Sequence, residues 1–147
     1  MAYNETRVTV AGRVSTDVST RTTVEGATVA NFTVASNERR YDRDSGTWVD
    51  RETLFLRVTC WRKLAEGVAA SLGKGDPVVV AGRLVAKKFD VDGLQRTAIE
   101  MEATSVGPDL TACTALVRRG GRRLEAVPDG VPSAETTEVP AAAAVAA

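Results

Sequence analysis

The chain has 147 residues, enough for one domain with a hydrophobic core and an appendage but short for two domains. Acidic and basic residues are equal in number, so the overall charge gives no indication of a polyanionic partner. Histidine is absent and the two cysteines, Cys60 and Cys113, are far apart, which argues against a zinc site and against histidine-dependent catalysis.

The first two predicted strands show the alternation of apolar and polar side chains that is typical of β-structure. In residues 7–14, Val8, Val10 and Val14 fall on one side of the strand. In residues 27–36, one side of the strand carries Ala30, Phe32 and Val34, and the other carries Val29, Asn31 and Thr33. The intervening residues 15–26 are rich in Thr, Ser, Asp and Gly, which predicts a connecting loop.

The segment 37–52 connects the second predicted strand to the third. It turns at Ser45-Gly46 between polar flanks, so we predict an extended, mobile hairpin that is long enough to fold over a bound strand. Its cationic and aromatic side chains are candidates for ligand contacts: Arg39, Arg40, Tyr41, Arg43, Trp48 and Arg51. Alternatively, Tyr41 and Trp48 serve only the packing of the hairpin.

The third predicted strand, 53–61, is the most informative part of the sequence. Successive side chains of a strand point to opposite sides. One side is apolar and is expected to face the core: Leu54, Leu56, Val58 and Cys60. We therefore expect Cys60 to be a buried, unreactive thiol. The other side consists of two aromatic rings that flank a guanidinium: Phe55, Arg57 and Trp61.

A helix and a hairpin complete the ordered part of the chain. Apolar residues recur at intervals of four between residues 64 and 72, which predicts a short amphipathic helix with a left-handed cap at Gly73. Two strands follow, 77–90 and 95–104, joined by a turn at 91–93. Three strands, a helix and two strands form the order of the OB-fold. The prediction is therefore an all-β, five-stranded Greek-key barrel with one short helix between strands 3 and 4.

The predicted barrel offers two rows of side chains suited to unpaired nucleotides, which need flat rings for bases and cations for phosphates along one groove. Phe55 and Trp61 are candidates for base stacking, with Arg57 between them as a phosphate or base contact. A second row, on one side of the fourth predicted strand, consists of Arg83, Lys87 and Phe89. Stacking is worth roughly 1–3 kcal/mol per base, so a few rings supply useful affinity even in a neutral protein.

The same residues also have purely structural interpretations. Phe55 and Trp61 are equally consistent with cross-strand packing or a subunit interface, and Arg83 and Lys87 with a solvated barrel surface. An assembly module whose aromatic side binds protein is the main functional alternative, although cations between the rings favour nucleic acid. RNA is a third option, because stacking does not distinguish the sugars. Scattered carboxylates make a hydrolase or nuclease the least supported option, so we predict a non-enzymatic protein without metal or cofactor.

Several segments of the chain are similar to those of a known family. Residues 10–14, 29–37, 61–66 and 74–84 resemble strand and helix segments of the bacterial single-stranded DNA-binding (SSB) proteins. The resemblance extends over residues 6–117. Within the family, the actinobacterial type is indicated by residues 41–50 with the following Leu-Phe-Leu-Arg, and by residues 106–110.

This resemblance implies single-stranded DNA as the partner, with a role in replication, recombination, repair or chromosome segregation. The family's base-stacking positions fall on Phe55, Trp61 and Phe89, and a fourth falls near Arg40 or Tyr41. It also implies a homotetramer. Since the sequence has neither an apolar run of bilayer length nor a signal peptide, we expect a cytoplasmic, nucleoid-associated protein without membrane contact.

The strand signals, the resemblance and the composition together divide the chain. Because the strand signals weaken from about Pro108, we assign residues 1–108 to the OB-fold domain that binds DNA. In the actinobacterial branch the next segment can form a strand that clasps a neighbouring subunit, which gives 109–122 a candidate role. The composition of 123–147 predicts a disordered tail. Replicative members end in an acidic tip with Pro-Phe, whereas this sequence ends in alanines. We therefore expect a shortened paralogue that does not recruit other proteins through such a tip.

Overall fold

The computed structural model describes residues 3–119. Residues 3–115 belong to one compact unit, and residues 116–119 belong to a second. The predicted tail, 123–147, lies outside the described residues. The predicted clasp lies inside them only up to residue 119, where residues 110–112 form a turn and 113–119 have no regular structure. Because a clasp requires a neighbouring subunit, this assignment stays a prediction.

Six strands and one helix make up the compact unit, and their bounds are as follows. The strands are β1 (Arg7–Val14), β2 (Ser19–Thr22), β3 (Thr28–Asp42), β4 (Thr47–Trp61), β5 (Pro77–Val91) and β6 (Leu94–Pro108). The helix, α1 (Arg62–Ser71), lies between β4 and β5. No helix of this described part is long and apolar enough to cross a membrane.

The strands form one curved sheet in the order β1-β5-β6-β4-β3-β2. Additional pairing between β1 and β3 closes this sheet into a barrel. β4 and β6 pair in parallel and the other neighbours pair antiparallel. Apart from β2, this is the strand order of the predicted OB-fold, which is confirmed.

The position of the helix was predicted wrongly, because it follows the fourth strand and not the third. Residues Ser19–Thr22 form β2, which pairs with β3, whereas the sequence had indicated a loop over 15–26. Threonine favours strands, but a four-residue edge strand without an apolar residue shows no alternation.

Two long hairpins extend from the barrel. β3 and β4 continue as paired strands through most of 37–52, so this segment is a regular β-arm around the predicted turn, where Gly46 has a φ of 67°. β5 and β6 form the second arm. Their turn places Asp92 and Gly93 at φ 50° and 76°, as the turn predicted at 91–93 requires.

Gly82 marks an irregularity in the second arm, where the pairing register of β5 and β6 shifts between Ala81 and Gly82. A Cβ atom at position 82 would lie 2.2 Å from the carbonyl oxygen of Glu102. β6 therefore approaches β5 here to a distance that only glycine permits.

The core lies on the inner side of the barrel and is built mainly from valines of the alternating strands. Phe32, Val58 and Met101 are fully or almost fully buried there, and Ala65 and Val68 of α1 cover the same cluster. Leu54 was expected in the core and is instead 56% exposed. It has the inward parity of Leu56, but it lies on the arm, where the barrel no longer encloses the inner side.

The end of α1 also differs from expectation. Gly73 is not in the left-handed region, and the helix ends at Leu72 in an extended conformation. The Gly73 N–H donates a hydrogen bond to Asp76 Oδ2 at 2.8 Å, while Gly75 has a φ of 94°. The carboxylate of Asp76 thus accepts from a backbone donor just beyond the helix, whereas a glycine cap would have brought donors to the last carbonyl groups of the helix.

Cys60 is buried in the core, and burial raises the pKa of its thiol from 9.0 to about 11. At pH 8 we expect iodoacetamide to label the half-buried Cys113 of the native protein but not Cys60. Mass spectrometry of a Cys113→Ser variant should show no label until denaturant is added, and rapid native labelling would contradict this.

The raised pKa of Cys60 also predicts how stability depends on pH. The free energy of unfolding should fall between pH 9 and about 11, because the thiol of the unfolded chain loses its proton at a lower pH than the buried thiol does.

Candidate nucleic-acid interface

The outer side of β4 exposes the aromatic residues predicted to stack bases. Phe55 is 65% exposed and Trp61 is 39% exposed, and Arg57 between them is exposed as well. Their neighbours Leu56 and Val58 are buried on the inner side, so the alternation of one strand separates core from surface. In this chain, packing into the core is therefore ruled out for both rings.

Trp61 is the last residue of β4 and lies at the rim of the barrel. Arg62, with a φ of 54°, turns the chain directly into α1. On the sheet, Trp61 pairs with the fully buried Val29 of β3, and Val29 pairs in turn with Arg21 of β2. The exposed Arg21 thus lies in the same row as Trp61. Arg21 was not among the predicted site residues, because the composition of residues 15–26 had indicated a loop.

The outer sides of β4, β6 and β5 form one continuous surface. Thr59 of β4 pairs with Glu102 of β6, and Glu102 pairs with Arg83 of β5. Directly paired residues point to the same side of a sheet, so Arg83 shares a surface with Phe55, Arg57 and Trp61. The two rows predicted separately from the sequence therefore belong to one face.

The far end of this row on β5 carries the second aromatic group. Lys87 and Phe89 keep the parity of Arg83, and both are exposed. Arg96 of β6 pairs with Phe89 and is exposed too. Arg96 was not among the predicted site residues, although counting back from the 91–93 turn places it opposite Phe89.

Two glutamates of β6 were also missed. Arg83 Nε donates a hydrogen bond to Glu102 Oε2 at 2.7 Å. Lys87 Nζ lies 2.8 Å from Glu100 Oε2. Counting from the same turn would have predicted Glu102 opposite Arg83. The second cationic row is consequently neutralised by ion pairs, which the pattern of β5 alone does not show.

The β3–β4 arm carries the remaining predicted residues. Tyr41 and Trp48 pair directly across its strands, with ring centroids 5.5 Å apart and an interplanar angle of 65°. This edge-to-face contact confirms that the two rings pack together, yet both stay largely exposed. Arg39 Nε donates to Asp50 Oδ1 at 2.7 Å, whereas Arg40 lines an open hollow.

The arm continues the same face of the sheet. Along β3, Tyr41 lies an even number of residues beyond Ala35, and Ala35 is the partner of Phe55. The register shift beyond Asn37 changes the parity on β4 but not on β3. Tyr41, and with it Trp48, therefore lies on the same side of the sheet as Phe55.

Comparison with known sequences gives consistent matches to one family. The model of the Single-strand binding protein family matches residues 5–109. A single-stranded DNA-binding protein of Mycolicibacterium smegmatis is 47% identical over 119 residues, which is 80% of this chain and 72% of that protein. The corresponding protein of Paenarthrobacter aurescens is also 47% identical, over 80% of this chain and 70% of its own length.

Solved structures show the same similarity. The small single-stranded DNA-binding protein from Streptomyces coelicolor matches with a TM-score of 0.68 and 34% identity, over 76% of this chain and 100% of that one. The second single-stranded DNA-binding protein from Mycobacterium smegmatis matches with a TM-score of 0.63 and 39% identity, over 78% and 99%. By its fold, its sequence and its relatives, the chain belongs to the Single-strand binding protein family.

Proposed function

We propose that this protein binds single-stranded DNA without sequence preference and protects it, and that it is not an enzyme. The observation that carries the proposal is the outer side of β4, where Phe55 and Trp61 are exposed with Arg57 between them. Each base stacked on a ring contributes roughly 1–3 kcal/mol, and stacking is tolerant of sequence because every base has a flat face. The names of the relatives support DNA as the ligand.

The aromatic residues of the two arms enlarge this surface. Phe89 on the β5–β6 arm and the Tyr41–Trp48 pair on the β3–β4 arm offer further stacking positions. Arg40, which precedes Tyr41 on β3, supplies a cation for phosphates, and Arg39 can do so only by giving up its ion pair with Asp50. We assign the protein to replication, recombination, repair or chromosome segregation, in the cytoplasm and at the nucleoid, because these processes expose single strands.

Titration with oligo-dT tests the proposal. Binding should quench the fluorescence of Trp61 and Trp48, since a base stacked on an indole changes its environment, and duplex DNA should have little effect. Raising the salt concentration should weaken binding only moderately, because part of the affinity comes from stacking. No quenching by oligo-dT, together with no change in its electrophoretic mobility, would refute the proposal.

We further propose a homotetramer, which is supported by apolar side chains that one chain leaves uncovered. Leu54 of β4 and Ile99 of β6 have inward parity, but both are more than half exposed where the arms leave the barrel. Leu110 is exposed beyond β6, as a clasp on a neighbour would require. Light scattering should give the mass of four chains, with and without oligo-dT, and a mass of one chain would contradict the assembly.

A further inference from the structure

The proposed DNA-binding face carries two carboxylates among its cations. Glu100 Oε2 is buried, and its charged contact within the described residues is Lys87 Nζ at 2.8 Å. The Glu100 side chain is only 15% exposed. Glu102 accepts a hydrogen bond from Arg83 and has a second contact with the same guanidinium.

These carboxylates oppose phosphate at the positions where the β5 cations would receive it. A phosphate that approaches Arg83 or Lys87 must compete with a negative charge already in contact, and it is repelled by that charge. Glu100 cannot readily move aside. Separating its buried oxygen from Lys87 would leave a buried negative charge without a counter-charge, which is costly. By contrast, Arg57 lies on β4, on the other side of β6, and has no ion pair among the described residues.

We propose that Glu100 and Glu102 are specificity-determining residues that compensate the positive charges of Lys87 and Arg83 and so disfavour ligands recognised through phosphates alone. A duplex or another polyanion presents charge without accessible base faces and gains little on this surface. A single strand stacks its bases on Phe55 and Trp61 and depends less on the neutralised cations. This inference rests on the proposed single-strand binding and adds to it the basis for rejecting duplex.

The test is the variant E100Q/E102Q, which removes two negative charges and keeps the size of both side chains. At about 50 mM salt, affinity for duplex DNA and for heparin should rise roughly tenfold, and affinity for oligo-dT should rise less. The slope of log affinity against log salt for duplex should steepen by up to about 1.8, which corresponds to two further phosphate contacts. Thermal unfolding of each variant checks that the fold is intact.

A matched control separates this local effect from net charge. The variant E25Q/E66Q changes the net charge equally, at an exposed turn and on an exposed position of α1. It should raise duplex and heparin binding much less than E100Q/E102Q does. Adding R83Q and K87Q to E100Q/E102Q should abolish the gain, because the gain depends on these two cations.

Two outcomes would overturn the inference. One is unchanged duplex and heparin binding in E100Q/E102Q, and the other is an equal increase in E25Q/E66Q. Wild-type titration with oligo-dT is run in parallel, because failure there refutes the proposed function. The duplex and heparin measurements test the role of the two glutamates apart from the proposed function, since binding of these ligands does not depend on stacking.

Discussion

Replacing Phe55 and Trp61 together with alanine should lower the affinity for oligo-dT by about thirtyfold or more. Two stacking positions are lost, each worth roughly 1–3 kcal/mol per base, and a loss of about 2 kcal/mol already corresponds to that factor. Both side chains are exposed, so the fold and the oligomeric state should stay unchanged. Anisotropy of a labelled oligo-dT measures the affinity without relying on the deleted tryptophan.

The control for this variant is Tyr3→Ala, which removes an aromatic ring that is 93% exposed and lies outside the strands of the sheet. It should leave the affinity within about twofold of wild type, since exposed residues away from a binding site have small effects. A double variant that binds oligo-dT normally but no longer assembles would show that Phe55 and Trp61 meet protein and not DNA.

Replacing Phe32 with alanine should lower the free energy of unfolding by about 3–5 kcal/mol. Phe32 is 2% exposed and pairs with Val58 in the core, so the substitution removes buried apolar contacts and leaves a cavity. Domains of this size are commonly stable by only about 5–15 kcal/mol, so a large share of the stability is lost. Urea unfolding followed by circular dichroism measures the change.

Phe55→Ala is the matched comparison for Phe32→Ala, because the same substitution is made on the adjacent strand but on the outer side. Phe55→Ala should reduce DNA binding and change stability by less than about 1 kcal/mol, whereas Phe32→Ala should mainly reduce stability. Equal losses of stability in the two variants would show that the division between core and outer side is wrong.

The barrel strands could be predicted from the sequence because alternation reports burial, and burial is regular where the barrel is closed. The valines of β1 and the mixed sides of β4 illustrate this. The same rule failed for Leu54, since parity gives the side of a strand but not whether anything covers it. It also failed for β2, whose four residues contain no apolar side chain to mark an inner side.

The candidate site was predictable in its rings but not in its charges. The outward position of Phe55 and Trp61 follows from β4 alone, and their exposure agrees with it. The net charge around the cations of β5 depends on a second strand, β6, since Glu102 lies opposite Arg83 only in a particular register. A pattern on one strand therefore overestimates the free positive charge of a sheet surface.

The close approach at Gly82 limits which sequences this fold tolerates. Any residue with a side chain at position 82 would have to displace the backbone of β6 at Glu102. That displacement would also move the carboxylate of Glu102 relative to Arg83, the next residue along β5. One position without a side chain therefore couples the integrity of the barrel wall to the charge balance of its outer surface. We therefore expect a variant at position 82 to lose both the integrity of the barrel wall and the charge balance of its outer surface.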